Sequence, residues 1–452
     1  MLKINQTIHS VVRAIDDHGS GVIFCGRDQV HVRQVLLGEE IEARVTKTIK
    51  GGYLGELVRI IKADPRRVKP LCPLTKRCGG CQMQHVAYPS QLEMKKQRII
   101  DALKKTPLSL HVHDVQGMQN PYHYRNKMII GFSRNNAGDI ISGLYEESSH
   151  RIVSASTCLL HPKECDEVIA TIVDLMKRLR IEPYDARRQR GFLRHAVIRY
   201  GVHTRQILVT LVTSEERFAA RKAFVQQLTS RHPAVKSIVQ NINRRDTSVV
   251  LGKQEHILYG KGSIEDELLG KRFIISSSSF YQINHDQCER LYQKAYELLQ
   301  LSGKERLLDA YCGIGTISLC VHEQAKEIIG VELNAKAVAD ARINARLNHV
   351  RNARFIQQDA SAFMKQEAAH RQHYDAVIMD PPREGSTPLF LDACASLKPE
   401  KIVYISCDPF TQIRDLIYLK KKGYKAADMY LYDMFPMSDH VETIVLLQRE
   451  TL

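Results

Sequence analysis

The chain has 452 residues, a formal net charge of +15 and 44% hydrophobic residues. That length carries several cores, and that hydrophobic share excludes a disordered chain. The charge is uneven: residues 1–110 hold 19 Lys+Arg against 10 Asp+Glu, so a polyanion such as nucleic acid is the expected partner of the amino-terminal part.

Residues 1–20 contain no long apolar run, and no segment reaches the length of a membrane span, so a cytoplasmic protein without membrane contact is expected. There are 11 cysteines, an odd number, and most are scattered. In a reducing compartment this argues against a disulfide framework. Metal binding or catalysis becomes the reading for any cluster.

Residues 1–60 read as short strands, "IHSVVRAI", "GVIFCG", "EIEARVTKTI" and "YLGELVRII", split by glycines. Such spacing predicts a small β-barrel of the oligonucleotide-binding kind. "DPRRVKPLCP" (64–73) reads as a linker. Three cysteines follow closely, Cys72, Cys78 and Cys81, among glycines, prolines and basic residues. A helix is expected over 90–105, with Ser90 as its cap and Glu93 three residues on. Residues 110–260 mix strands such as "RHAVIRYG" and "RQILVTLVTS" with a helix in "ECDEVIATIVDLMKRLR", an α+β region. From about 265 strands and helices alternate, the signature of a parallel α/β sheet.

Within that last part, "RLLDAYCGIGTISLC" (306–320) runs from a strand ending in Asp309, through a turn at Gly313 and Gly315, into a helix. Backbone can approach a ligand closely at such a turn. The next strand, "EIIGVELN", ends in Glu332, placed to bind both hydroxyls of a ribose. A third glycine for a pyrophosphate is missing, and so is a P-loop Lys-Ser/Thr. The expected ligand therefore has a ribose without phosphates, as S-adenosylmethionine does. "FIQQDA" offers Asp359 toward an adenine edge, and "YDAVIMDPPREG" offers Asp380 past an apolar strand. Ligands in such sheets gather at the carboxyl ends of strands.

"KIVYISCDPF" is an apolar strand that stops at Cys407, and "HVETIVLLQ" carries Glu442 just before another. A methyl donor, a cysteine and a carboxylate fit methylation at carbon 5 of a pyrimidine. A thiolate adds to carbon 6, carbon 5 takes the methyl group, and a base removes the carbon 5 proton.

The sequence resembles the RNA uracil-5-methyltransferase family, specifically its bacterial 23S ribosomal RNA branch with an amino-terminal TRAM domain. "FYQIN" (280–284), "DAYCGIGT", "GVELN", "DPPREG", "SCDP" and "HVET" match in order, and the resemblance covers essentially the whole chain. It implies three domains: a TRAM barrel (1–62), a central α+β domain (63–264) and a Rossmann-like methyltransferase domain (265–452). It implies Cys407 as nucleophile, Glu442 as base, and adenosylmethionine contacts at Gln282, Tyr311, Glu332 and Asp380. The product is 5-methyluridine in 23S ribosomal RNA, made by a monomer on a single-stranded or flipped uridine. It also implies a [4Fe-4S] cluster on Cys72, Cys78, Cys81 and Cys158, with Cys165 as a second candidate for the fourth ligand. Where the family commonly has Asn after the nucleophile this chain has Asp408, which adds charge beside Cys407. The basic segments "YHYRNK" (122–127) and "RRQRGFLRH" (187–195) are candidate RNA contacts.

Overall fold

The computed structural model describes residues 2–450 apart from 17, 18, 147, 148, 150, 246 and 248. The ends of the expected first and third domains (1, 451 and 452) lie outside the described residues. Two compact units are distinguished. The first comprises Met1–Lys95, Tyr145–Arg151 and Met437–Asp439, and the second Lys96–Leu144, Ile152–Pro436 and His440–Leu452. The boundary expected at 264 falls inside the second unit.

The first unit is built on a six-stranded sheet ordered Thr7–Val11, Glu40–Ile49, Gly52–Lys62, Asp28–Val32, Gly21–Cys25, Ala14–Ile15. Its strands alternate, so Val30 and Val32, or Ile41, Ala43 and Val45, turn into one core with Ile8, Val12 and Ile23. Asp28–Val32 escapes a hydropathy reading because only those two valines mark it. Beyond Lys62 the chain is irregular up to Tyr88. Glu39, its side chain sealed from solvent, anchors the start of that stretch. It accepts from Arg67 Nη2 at 2.7 Å, Leu36 N at 2.8 Å and Asp64 N at 3.2 Å. Burial opposes its charge, but Arg67 and the backbone donors hold the carboxyl below its usual range.

The expected helix over 90–105 is observed at Tyr88–Leu103. Ser90 lies inside it and is not its cap. Pro89 sits in the first turn, where its fixed φ favours initiation and its missing N–H costs nothing.

The second unit contains a seven-stranded sheet that includes Lys127–Arg134, Leu193–Tyr200, Ile207–Thr213 and Val235–Ile242, and a hairpin, Ser263–Leu268 with Lys271–Ser276. An eight-stranded sheet carries the strand ends singled out above. Its order is Ala353–Gln357, Glu327–Glu332, Arg306–Ala310, Ala376–Met379, Lys401–Ser406, Glu442–Arg449, Tyr424–Tyr432, His111–Gln116. The first five run parallel, and Glu442–Arg449 enters antiparallel between Lys401–Ser406 and Tyr424–Tyr432. His111–Gln116 comes from the span expected as the central domain, yet it pairs parallel with Tyr424–Tyr432 at the sheet's edge. There His113 stacks on Tyr430 at 4.2 Å and bonds Asp428 at 2.8 Å.

The loop after Ala376–Met379 is locked to the strand Lys401–Ser406 by Asp415, on the helix Pro409–Lys420. Its buried carboxylate accepts from Ser386 N and Tyr404 Oη, both at 2.7 Å, and pairs with Arg414. Arg414 in turn donates to the carbonyls of Glu384 and Ser386. Gly385 has φ +72°, and a Cβ there would lie 2.8 Å from Asp415 Oδ2, so the close approach requires glycine. Asp415→Ala strands two buried donors, each costing about 1–3 kcal/mol. The expected loss is about 2–5 kcal/mol, read as a lower thermal or denaturant midpoint. Arg414→Ala, at a half-exposed partner, should cost under about 1 kcal/mol.

Candidate active site

The strand Arg306–Ala310 ends in a turn that glycine makes possible. Gly315 has φ +81°, and a Cβ there would lie 2.9 Å from the Phe355 ring. Gly313 N donates to Glu332 Oε2 at 3.2 Å, and Asn334 N donates to Oε1 at 2.7 Å. The Glu332 carboxylate is thus fixed at its strand end with acceptor capacity left for a diol. A cleft opens there, lined by Ser279, Phe280, Gly313, Glu332, Lys336 and Asp340 among others.

The other expected cofactor residues divide. Tyr311, at φ +80°, stacks on Phe390 with ring centroids 5.0 Å apart. Gln282 is buried, and its carbonyl accepts from Asn126 Nδ2 at 2.7 Å. Asp359 was expected to meet an adenine edge. It is exposed and caps the helix Ala360–Ala369, accepting from Ala362 N at 2.9 Å. Asp309 lies beneath the turn and accepts from Ser318 Oγ at 2.6 Å, tying strand to helix. Burial pushes its pKa up to about 7, with the Ser318 bond opposing.

Register brings the reactive pair together. Ser406 is paired with Thr443, so Cys407, one residue beyond, and Glu442, one residue before, face each other at the same edge. Thr443 Oγ1 donates to the Ser406 carbonyl at 3.2 Å, pinning that end. Asp380 follows the neighbouring strand Ala376–Met379. Burial pushes the Cys407 thiol up to about 12; the charges of Glu442 and Asp380 add to this and Arg383 opposes it. Glu442, 3% exposed, is raised well above the usual carboxylate range, first by burial and then by Asp380, again against Arg383. Asp380 is raised to about 7 by burial and by Asp309.

Asp408, directly after Cys407, is the N-cap of the next helix. Its carboxylate caps the helix Pro409–Lys420, accepting from Phe410 N at 2.9 Å and Thr411 N at 3.1 Å. An Asn side-chain oxygen would do the same. Arg383 was missed in the sequence, although it lies within "DPPREG". The available signal was a fixed cation three residues after Asp380 in a loop otherwise supplying carboxylates. Phe280, 67% exposed beside the cleft, was also passed over; an aromatic in a serine-rich stretch could have marked it.

Cys72, Cys78 and Cys81 are half-buried in the irregular stretch of the first unit, and Gly80 N donates to Cys78 Sγ at 3.4 Å. Cys158 belongs to the second unit. Its thiol is opposed by burial but held below its ordinary pKa by His161, and its N–H donates to Asp166 at 2.8 Å. Cys165, the other candidate, is fully buried among the apolar side chains packed on the seven-stranded sheet. In the basic segment 122–127, Tyr124 and Asn126 are buried, and Tyr124 Oη bonds the Pro436 carbonyl at 3.2 Å, whereas Tyr122, His123, Arg125 and Lys127 are half-buried. Arg187, Arg188 and Arg190 are exposed, whereas Arg194 is buried and stacks on Tyr184 at 4.3 Å.

A family model for tRNA (Uracil-5-)-methyltransferase matches residues 87–450. An uncharacterized RNA methyltransferase of Halalkalibacterium halodurans is 38% identical over 446 residues, covering 98% of this chain and 97% of the relative. One from Staphylococcus aureus is 39% identical over 430 residues, 95% of each. Among solved structures, the chain is similar to the Pyrococcus abyssi tRNA (uracil-54, C5)-methyltransferase in complex with S-adenosyl-L-homocysteine. The TM-score is 0.78 at 27% identity, over 97% of this chain and 99% of that one. With a family model spanning most of its length and near-full-length relatives at this identity, the chain belongs to the adenosylmethionine-dependent RNA uracil-5-methyltransferase family.

Proposed function

We propose that the protein forms 5-methyluridine in 23S ribosomal RNA through a covalent adduct between Cys407 and carbon 6 of the uracil. The observation that carries this is the Ser406–Thr443 pairing, which sets a thiol and a buried carboxyl side by side at the edge where the cofactor cleft opens. When bound, adenosylmethionine supplies an electrophilic methyl group. The Cys407 thiolate adds to carbon 6 and makes carbon 5 the attacking atom. Glu442 then takes the carbon 5 proton, and the thiolate leaves. Gln282, Tyr311, Glu332 and Asp380 are the proposed cofactor contacts. Arg383 stabilises the ionised forms of both Cys407 and Glu442. Residues 1–62 serve as a TRAM barrel that grips RNA.

Cys72, Cys78, Cys81 and Cys158 are the proposed ligands of a [4Fe-4S] cluster. The C-x5-C-x2-C spacing supports this, as do the half-buried thiols and the backbone donor to Cys78 Sγ. Stoichiometric zinc without iron after anaerobic purification would exclude it.

A second reading is methylation of transfer RNA. The Pyrococcus abyssi enzyme acts on tRNA and is matched over 99% of its length, so whole-chain architecture does not separate the two substrates. Mapping 5-methyluridine in cells lacking this protein decides between them. Loss from 23S ribosomal RNA is expected, and loss from tRNA alone would select the second reading.

Two further outcomes follow from the site. Cys407→Ala should reduce methyl transfer below detection while leaving adenosylmethionine affinity within about 3-fold, and RNA carrying 5-fluorouridine should form a denaturation-resistant adduct with the unaltered protein only. Single-turnover methyl transfer should rise with pH between about 6 and 9, because the raised pKa values of Asp380, Glu442 and Cys407 keep these groups protonated at lower pH. Removing the cation in Arg383→Ala should move that rise upward by about one pH unit, with roughly 10-fold lower rate at pH 7.

A further inference from the structure

Three side chains outside the catalytic edge form a group for which the reaction has no use. His203, His285 and Glu289 each bring one ligand atom within 4.8 Å of the others. Among the described residues, this is the one set of His, Cys, Asp and Glu side chains so gathered. His203 is exposed, on the turn between the strands Leu193–Tyr200 and Ile207–Thr213. His285 opens the helix His285–Leu299 and is 3% exposed, and Glu289 stands one turn further along the same helix face.

Each ligand is oriented from behind. His285 Nε2 bonds the Glu267 carbonyl at 2.6 Å, and a carbonyl only accepts, so Nε2 carries the proton and Nδ1 keeps its lone pair. Glu289 Oε1 accepts from Leu269 N at 3.0 Å, leaving Oε2 as the outward atom. The backbone of His203 is held by the buried Asp266, which accepts from Val202 N at 3.0 Å and His203 N at 2.9 Å. The two imidazoles meet edge to face, 4.7 Å between centroids. An N–H···O=C bond behind a ligating histidine is the arrangement that fixes tautomer and aim in metal sites.

We infer that His203, His285 and Glu289 bind a divalent zinc-like cation. Two imidazoles and one carboxylate form a donor set that zinc accepts, with the fourth position left to water. Bonds of 2.0–2.2 Å in tetrahedral geometry put ligand atoms about 3.3–3.6 Å apart, so the group must close by about 1 Å. The exposed His203 can supply that movement. The helix N-terminus opposes a cation at His285, while the carboxylates of Glu289 and Asp266 favour one. The ion would tie the turn at 201–206 to the start of the helix that follows Gln282, three residues before His285. It would therefore brace the cofactor segment without touching the reacting atoms.

The test is a Co2+ titration of the purified full-length protein, followed by absorption and by Zn2+ competition. One Co2+ per chain should bind with weak d–d bands and no thiolate-to-metal charge-transfer band, which separates this site from any cysteine cluster. His203→Ala should weaken binding at least about 100-fold, and Glu289→Gln, which keeps the acceptor for Leu269 N, at least about 10-fold. Unchanged affinity in His203→Ala, cobalt bound only with a thiolate band, or no cobalt bound at about 0.1 mM would overturn the inference.

Discussion

The catalytic edge depends on one reversed strand. In a purely parallel sheet every strand arrives at the carboxyl edge as an end, and the residues that begin strands lie on the far side. Glu442–Arg449 runs against its neighbour, so the first residue of one strand sits beside the residue that ends another. Ile402, Val403, Tyr404 and Ile405 on one strand, and Ile444, Val445 and Leu447 on the other, are buried. Each such side chain contributes about 1.5–3 kcal/mol. Both faces of these two strands are buried, so apolar pattern alone does not set their register; close packing and the Thr443 Oγ1 bond to the Ser406 carbonyl hold Glu442 opposite Cys407.

Burial has a second effect at this edge. The thiol and the carboxyl groups are all held toward their neutral forms before substrate arrives. A free thiolate beside a methylsulfonium would be alkylated, and a neutral thiol is a far poorer nucleophile. Under the proposed mechanism, the desolvation that makes Cys407 hard to ionise also protects the thiol from the methyl donor. Arg383 is a fixed charge that favours ionisation of Cys407 and Glu442. It is anchored through the loop that Asp415 clamps, which links the stability of that helix to the chemistry beside it.

What the sequence disclosed follows from what a strand end can mean. Residues that close apolar runs are placed at the carboxyl edge by the backbone, so Cys407, Glu332 and Asp380 could be located from pattern alone. Their tasks could not be told apart so simply. Asp359 and Asp309 end strands as well, yet one caps a helix and the other ties a strand to the helix after it, because a carboxylate satisfies N–H or O–H donors as readily as it holds a ligand. His111–Gln116 shows the opposite limit. Its two buried valines, Val112 and Val115, stand three apart, so no period of two marks the strand or the sheet that takes it. The tie between Glu39 and Arg67, and the gathering of His203 with His285 and Glu289, are long-range juxtapositions that no local period encodes.

That edge strand also bears on how the chain is made. His113 meets its partner Asp428 across 315 residues of sequence. At about 5–20 residues per second of synthesis, the earlier strand waits roughly 15–60 s for its neighbour. Its main-chain groups and its two valines, Val112 and Val115, must stay clear of other nascent chains during that interval. The histidines and aspartate that punctuate "HVHDVQ" suit a segment that has to remain soluble until Tyr424–Tyr432 leaves the ribosome.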